Sequence, residues 1–230
     1  MSQYWFCLEA LVPGLIAMSP DFKIPTVQQW SLGVQRQLPL QFTVDIAYVG
    51  SHGTHLLKPI GLNQTRPGTP SPSNRSRPYP GYGNITLRAT AGSSRYDSLQ
   101  LSLGRRLSKG LEIHAAYTLS KAISDSSSDR NGGDLPQDVL NQRAERALTT
   151  FDKRHIFITN YVWELPFFRG ASNRVLYGVL GGWQLSGITR FESGSPLTIT
   201  TPTTAPRSFG GGSFRPNLVG DPQGPRTVKQ

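Results

Sequence analysis

The sequence predicts an all-β chain: an antiparallel transmembrane β-barrel segment, partial, with about six strands, long outer loops and short periplasmic turns. Apolar and polar residues alternate with period two in six separate stretches. That is the spacing of a strand whose two faces meet different solvents. The connections between these stretches alternate between short and long. Gly (24) and Pro (18) among 230 residues favour turns over helices. Hydrophobic residues make up only 37%, and mean hydropathy is −0.33. With no run of about 18 apolar residues, a membrane-spanning helix is excluded. A spanning strand needs only every second residue apolar, so mean hydropathy is blind to it.

The first strand candidate, Val27 to Leu38, carries Trp30, Leu32 and Val34 on one face and stops at Pro39. The second, Gln41 to Val49, sets Phe42, Val44, Ile46 and Tyr48 against Thr43, Asp45 and Ala47. The third and fourth, Tyr96 to Leu107 and Leu111 to Ser120, form a hairpin around Ser108-Lys109-Gly110. One face of that hairpin reads Leu99, Leu101, Leu103, then Leu111, Ile113, Tyr117, Leu119; Glu112 and His114 lie on the other. The fifth, His155 to Leu165, alternates imperfectly, because Ile156, Ile158 and Val162 share a face with Glu164. The sixth, Trp183 to Glu192, sets Trp183, Leu185, Gly187, Thr189 and Phe191 against Gln184, Ser186, Ile188, Arg190 and Glu192.

These stretches divide the chain into a lead-in (1–26), antiparallel barrel strands (27–192) with long loops at 50–95 and 121–154, and a Gly/Pro-rich outer loop or tail (193–230). Outer-membrane barrels keep short turns on the periplasmic side and long loops outside. On that rule Phe42, Trp163 and Trp183 fall near the periplasmic ends of strands. Tyr48, Tyr96, Tyr117, Phe157 and Phe191 fall near the outer ends, with Trp30 less well placed. Two aromatic girdles are what a bilayer asks for. Asp45, Glu112, His114 and Arg190 lie opposite the apolar row, where a wet lumen spares them the cost of lipid exposure.

A formal charge of +10 raises the question of nucleic acid. The Arg and Lys residues lie mostly in turns and loops, form no stripe on one predicted face, and accompany no nucleic-acid-binding motif, so no nucleic-acid partner is expected. The single cysteine, Cys7, excludes an intrachain disulfide and a Cys-based metal site; its apolar setting suits a buried or lipid-facing thiol. The N-terminal apolar stretch has no preceding Lys or Arg, is interrupted by Glu9 and is split by Pro13-Gly14. It therefore reads as the interior of a longer protein and not as a signal peptide. The chain is accordingly expected to be an incomplete piece.

Sharper chemistry finds no foothold. His52 and His55 stand three apart, but with no Cys and no nearby carboxylate they do not predict a metal site. Phe151 to His155 (FDKRH) reads as a strand-entry turn at the outer interface. Ser124 to Asp134 has a calcium-loop composition without the bidentate Glu. Phe209 to Phe214 is a Gly run with no following helix, and no nucleophile elbow or phosphate-binding loop is present. No catalytic, cofactor or metal residue is expected, and no enzymatic activity.

Four stretches do resemble one family: residues 19–56 (SPDFKIPTVQQWSLGVQRQLP…FTVDIAYVGSHGTHL), 96–125 (YDSLQLSLGRRLSKGLEIHAAYTLSKAISD), 152–170 (DKRHIFITNYVWELPFFRG) and 179–199 (VLGGWQLSGITRFESGSPLTI). Together, and in this order, they look like successive barrel segments of Oar-like TonB-dependent outer-membrane transporters. The resemblance implies solute uptake across the outer membrane, with energy delivered by the TonB complex through a plug domain. This chain shows no plug or TonB box, and such transporters have 22 strands. The implied partners are outer-membrane lipid, the TonB complex acting through that plug, and an unknown solute. The competing expectation is a secreted soluble β-sandwich binding module for carbohydrate or protein, in which Leu99, Leu101, Leu103, Ile113 and Leu119 would face a core.

Overall fold

Long alternating stretches bounded by Gly, Pro and polar clusters become strands in the computed structural model. It describes residues 13–66, 69, 74–128, 134–166, 181–200, 215, 216 and 219. Among these, eight strands run in chain order: β1 (Leu15–Met18), β2 (Thr26–Leu38), β3 (Phe42–Gly61), β4 (Ile85–Ser108), β5 (Leu111–Ser124), β6 (Ala147–Leu148), β7 (His155–Glu164) and β8 (Gln184–Glu192). Six form an antiparallel meander in the order β2-β3-β4-β5-β7-β8. The short β1 pairs parallel with the start of β4, and β6 pairs with the end of β5. The six long strands correspond to the six sequence candidates, and the sheet is all-β and antiparallel apart from β1. It does not close: among the described residues β2 and β8 each have a neighbour on one side only.

The two tight turns have a common physics. Leu40 and Gln41 adopt φ of 62° and 63°, and Lys109 and Gly110 adopt 51° and 79°. Paired positive φ values match the right-handed twist of flanking strands, so each turn closes a hairpin without splaying it. Both turns lie at one end of the sheet, where β7 also ends at Glu164 and β8 begins at Gln184. The long connections 62–84 and 125–154 lie at the other.

Strand limits differ from the sequence expectation at that loop end. The segment read as a loop from 50 to 95 is strand as far as Gly61 and again from Ile85, and the second loop begins only after Ser124. Register shifts between Gly53 and Leu56 and between Leu56 and Lys58, with His55 at φ 55°, break the period-two pattern although pairing continues. The lead-in contributes β1, four residues too short to leave a periodic signal. Cys7, most of the β7–β8 connection, the Gly run at 209–214 and part of the Ser124–Asp134 stretch lie outside the described residues.

Cross-strand register fixes the faces. One row runs Val34, Ile46, Leu101, Tyr117, Phe157, Phe191, and the next runs Leu32, Tyr48, Leu99, Leu119, His155. The same face of β7 carries Tyr161 and Trp163. Ile156, Ile158 and Val162 therefore point to the opposite side, which explains the imperfect alternation of that strand. Among the described residues nothing covers the apolar rows: Leu32 is 74% exposed, Val34 66% and Phe191 64%. Among the described residues the buried apolar side chains reduce to Ile60, Ala89 and Ala122. A soluble sandwich would bury these rows beneath a second sheet, since apolar burial is what holds such a fold together. Among the described residues no such sheet exists.

Three glycines stand directly opposite an aromatic or imidazole ring. Trp30 faces Gly50, His114 faces Gly104 and Tyr161 faces Gly187. A Cβ added at Gly50 would fall inside the Trp30 indole, and one at Gly187 would lie 2.8 Å from the Tyr161 hydroxyl oxygen. The Trp30 and Tyr161 rings occupy the space a side chain would take, and a Cβ at Gly104 would crowd the His114 ring at 3.0 Å. Gly50→Val should cost about 1–3 kcal/mol by lifting the indole off the sheet, read as a lowered urea midpoint for the vesicle-inserted protein. Gly33→Val, where a Cβ meets only ordinary contacts, should cost less.

Candidate functional site

The face opposite the apolar rows carries the chain's intramembrane polar groups. Register places Gln35, Asp45, Ser102, Ala116, Ile158 and Arg190 in one row and Gln37, Thr43, Gly104, His114, Asn160 and Ile188 in the next. The sheet curves around this face and forms an open cleft of about 700 Å³, lined among others by Gln35, Asp45, Ser102, Arg106, His114 and Asn160. A neighbouring hollow of about 440 Å³ is lined by Glu112, Asn160, Val162 and Ser186. The Glu112 carboxylate stands 3.5 Å from His114 Nε2. The four charged residues expected to avoid lipid therefore lie on the concave, polar side. What the cleft offers chemically is hydrogen bonding, mainly from amides and hydroxyls.

Apart from Arg95, Asp97 and Lys121 toward the loop end, two arginines depart from this separation, and the sequence reading missed both. Arg36 and Arg105 share the apolar face. Both lie toward the tight-turn end, where a long side chain can carry its charge to the interface. Arg105 also lies over the Phe42 ring, 5.3 Å from its centroid. Row order along the strand, more than residue type, decides whether an outward charge is tolerable.

The loop end is built from buried polar groups. Lys58 Nζ donates to Asp125 Oδ2 at 3.0 Å, with side-chain exposures of 5% and 14%. The Ser93 amide donates to Asp125 Oδ1 at 2.8 Å. Asn63 spans the 62–84 connection: its Nδ2 donates to the carbonyls of Tyr79, Tyr82 and Gly83, and its Oδ1 accepts from the Tyr79 amide. Gln64 bonds across to Gln137 and Val139. Arg215 joins the same structure through a two-pronged ion pair with Glu145, at 2.8 and 2.9 Å. Asn63, Gln64 and Thr65 are each at most 3% exposed. Polar groups this deeply buried are costly unless bonded, so their partners hold the loops in one arrangement.

Burial pushes the Asp134 carboxyl above the ordinary carboxylate range, against hydrogen bonds from the Ser128 and Ser127 backbone that pull it down. A folded value above the unfolded one means that the folded state holds the proton to higher pH. Stability from this group therefore grows as pH falls through the folded value and is lost as pH rises through it. Asp134→Asn should flatten that part of the stability–pH curve, leaving the variant at least as stable at pH 7, as urea titrations at several pH values will show.

The motifs weighed in the sequence have structural positions. His52 Nδ1 lies 3.1 Å from the Ser94 carbonyl, and His55 occupies the β3 bulge. Asp152, within the FDKRH stretch, accepts the Ala122 amide at 2.7 Å, while the Lys153 carbonyl accepts from the Ser120 hydroxyl. His155 Nδ1 lies 2.8 Å from the Tyr117 hydroxyl. The Asp152, Lys153 and His155 contacts tie the loop end to β5. Among the described residues no three His, Cys, Asp or Glu side chains come together as a metal-ligand group.

A curved antiparallel sheet, polar on its concave side and uncovered and apolar on the other, is the wall of a membrane β-barrel. The family model for an outer membrane beta barrel domain matches residues 8–230, and the chain belongs to that family. Its place is the outer membrane of a Gram-negative bacterium. No curated relative and no solved structure matches the chain.

Proposed function

We propose that this wall forms part of a TonB-dependent uptake receptor of the Oar-like kind, carrying a solute across the outer membrane by binding and passage, without catalysis. The observation that carries the reading is the open wall of six long strands with a polar concave face. In lipid the edges that β2 and β8 present among the described residues must be paired, by further strands or by a second copy of the chain, because each unpaired backbone group costs several kcal/mol. Completion by many further strands gives a wide lumen, and barrels of 22 strands are plugged transporters. The order and wording of the four resembling stretches support the same reading. The partners on this view are outer-membrane lipid, the TonB complex acting through a plug, and the transported solute.

The test is uptake in the source bacterium with its gene deleted and restored. Deletion should abolish accumulation of a large or scarce solute, and a protonophore should do the same in the restored strain. Passage that persists undiminished with the proton gradient collapsed would mark a passive pore and overturn the proposal.

A further inference from the structure

The long-loop end carries a feature that uptake alone does not use. Residues 50–95 contain no Asp or Glu, yet carry Lys58, Arg66, Arg75, Arg77, Arg88 and Arg95. Lys58 is taken by Asp125, Arg77 bonds Asn84 and Arg95 bonds Asp97. Arg66 and Arg75 are exposed. Between them and β4 lies the turn Tyr79-Pro80-Gly81-Tyr82, with both tyrosines open to solvent, at 51% and 45%.

Two asparagines hold that turn from below. Asn63 reaches Tyr79, Tyr82 and Gly83 through four backbone contacts of 2.7 to 3.1 Å. Asn74 donates to the Tyr82 carbonyl at 2.8 Å and accepts from the Gly81 amide at 2.7 Å. Gly81 supplies the φ of 89° that closes the turn. Arg75 follows Asn74 directly, so the same contacts keep its backbone beside the tip. Exposed tyrosines on a rigid turn are unusual for a loop with no task, because ordering the backbone costs about 1–2 kcal/mol per residue. Tyrosine provides large amphipathic contact area at low entropic cost, and a preordered backbone removes a further penalty on binding.

We propose that this tip is a binding site for an acidic polysaccharide. The tyrosine rings present flat apolar planes to the C–H faces of pyranose rings, and their hydroxyls can bond sugar hydroxyls. Arg66 and Arg75, exposed in the same connection, supply the charges for the carboxylates, and the 50–95 segment contains no acidic residue to compete for them. Two separate exposed cations in the connection that carries the rigid aromatic tip fit spaced sugar acids better than a nucleic-acid strand, which calls for a continuous basic groove. The inference requires only that the long-loop end face outward. It stands apart from energised uptake and is read without it.

The experiment uses the full chain refolded into phosphatidylcholine vesicles and sedimented with fluorescent alginate. Dextran serves as the neutral counterpart and single-stranded DNA as the competing polyanion. Alginate should co-sediment at 0.15 M salt and dextran should not. Tyr79→Ala combined with Tyr82→Ala should weaken alginate binding about thirty-fold, the scale of an aromatic hot spot, while the corresponding double Phe variant keeps most of it. Arg66→Gln with Arg75→Gln should weaken binding and flatten its salt dependence. Asn63→Ala, which leaves both rings in place, should give a smaller loss through loosened backbone. Infrared amide bands confirm that each variant retains its sheet. The proposal is overturned if alginate fails to bind, if dextran binds equally, if DNA binds as tightly as alginate, or if the double Ala variant binds like the parent.

Discussion

Leu101→Arg should lower the stability of the membrane-inserted chain by about 2–4 kcal/mol, the cost of a cation on the lipid side near the bilayer midplane. Leu101 is the position to choose because its cross-strand row, from Val34 through Ile46, Tyr117 and Phe157 to Phe191, contains no charge. It also sits midway along β4 between Asp97 and Arg105, the nearest charges on the same face. Gln100→Arg, one residue away, points into the concave side and should change stability by less than about 0.5 kcal/mol, as for an ordinary exposed position. Urea titration of both variants in phospholipid vesicles makes the comparison. Equal effects at the two positions would mean that the apolar row does not face lipid.

Asp125→Ala should cost more, about 3–5 kcal/mol, because it leaves the Lys58 ammonium buried with no counter-charge. The side chain of Lys58 is 5% exposed, so water cannot take over, and the Ser93 amide loses its acceptor in the same step. The double replacement Lys58→Met with Asp125→Leu should recover much of the loss, since an apolar pair of similar volume removes both desolvation penalties. The measurement is again the unfolding midpoint, accompanied by protease cleavage within the 62–84 connection. A single-variant loss no larger than that of the double variant would show that the ion pair carries no special weight there.

How much of this was legible in the sequence follows the physics of each region. Where lipid and water meet opposite faces of a strand, residue type must alternate, and β2, β5 and β8 were readable to within a few residues, as was the half of β4 from Tyr96 onward. In β7 the signal failed on one count: apolar Ile156, Ile158 and Val162 line the concave side, where the cleft accepts apolar groups beside Asn160. The outer extensions of β3 and β4 were hidden by bulges that shift register without ending the pairing. The buried polar network could not be read at all. Lys58 and Asp125 are 67 residues apart, as are Lys23 and Thr90, and nothing local marks either partner. The concave polar residues were legible as a face, whereas their gathering into a cleft required the curvature of the sheet. The tip at Tyr79–Tyr82 resembles any Pro/Gly-rich loop until the asparagine contacts beneath it are seen.

The rings that lie over glycines bear on how the wall assembles. A strand sliding past its neighbour can keep its apolar side toward lipid only by moving in steps of two residues, so such slips pass the hydrophobic test undetected. They do not pass at the glycines. A two-residue slip would set Trp30 against Tyr48 or His52, Tyr161 against Leu185 or Thr189, and His114 against Ser102 or Arg106. In each case a side chain occupies the space the ring needs. Three hairpin partners thus carry a steric tooth that fits one notch, and a chain folding within a bilayer can reject misaligned pairings that greasiness alone would accept.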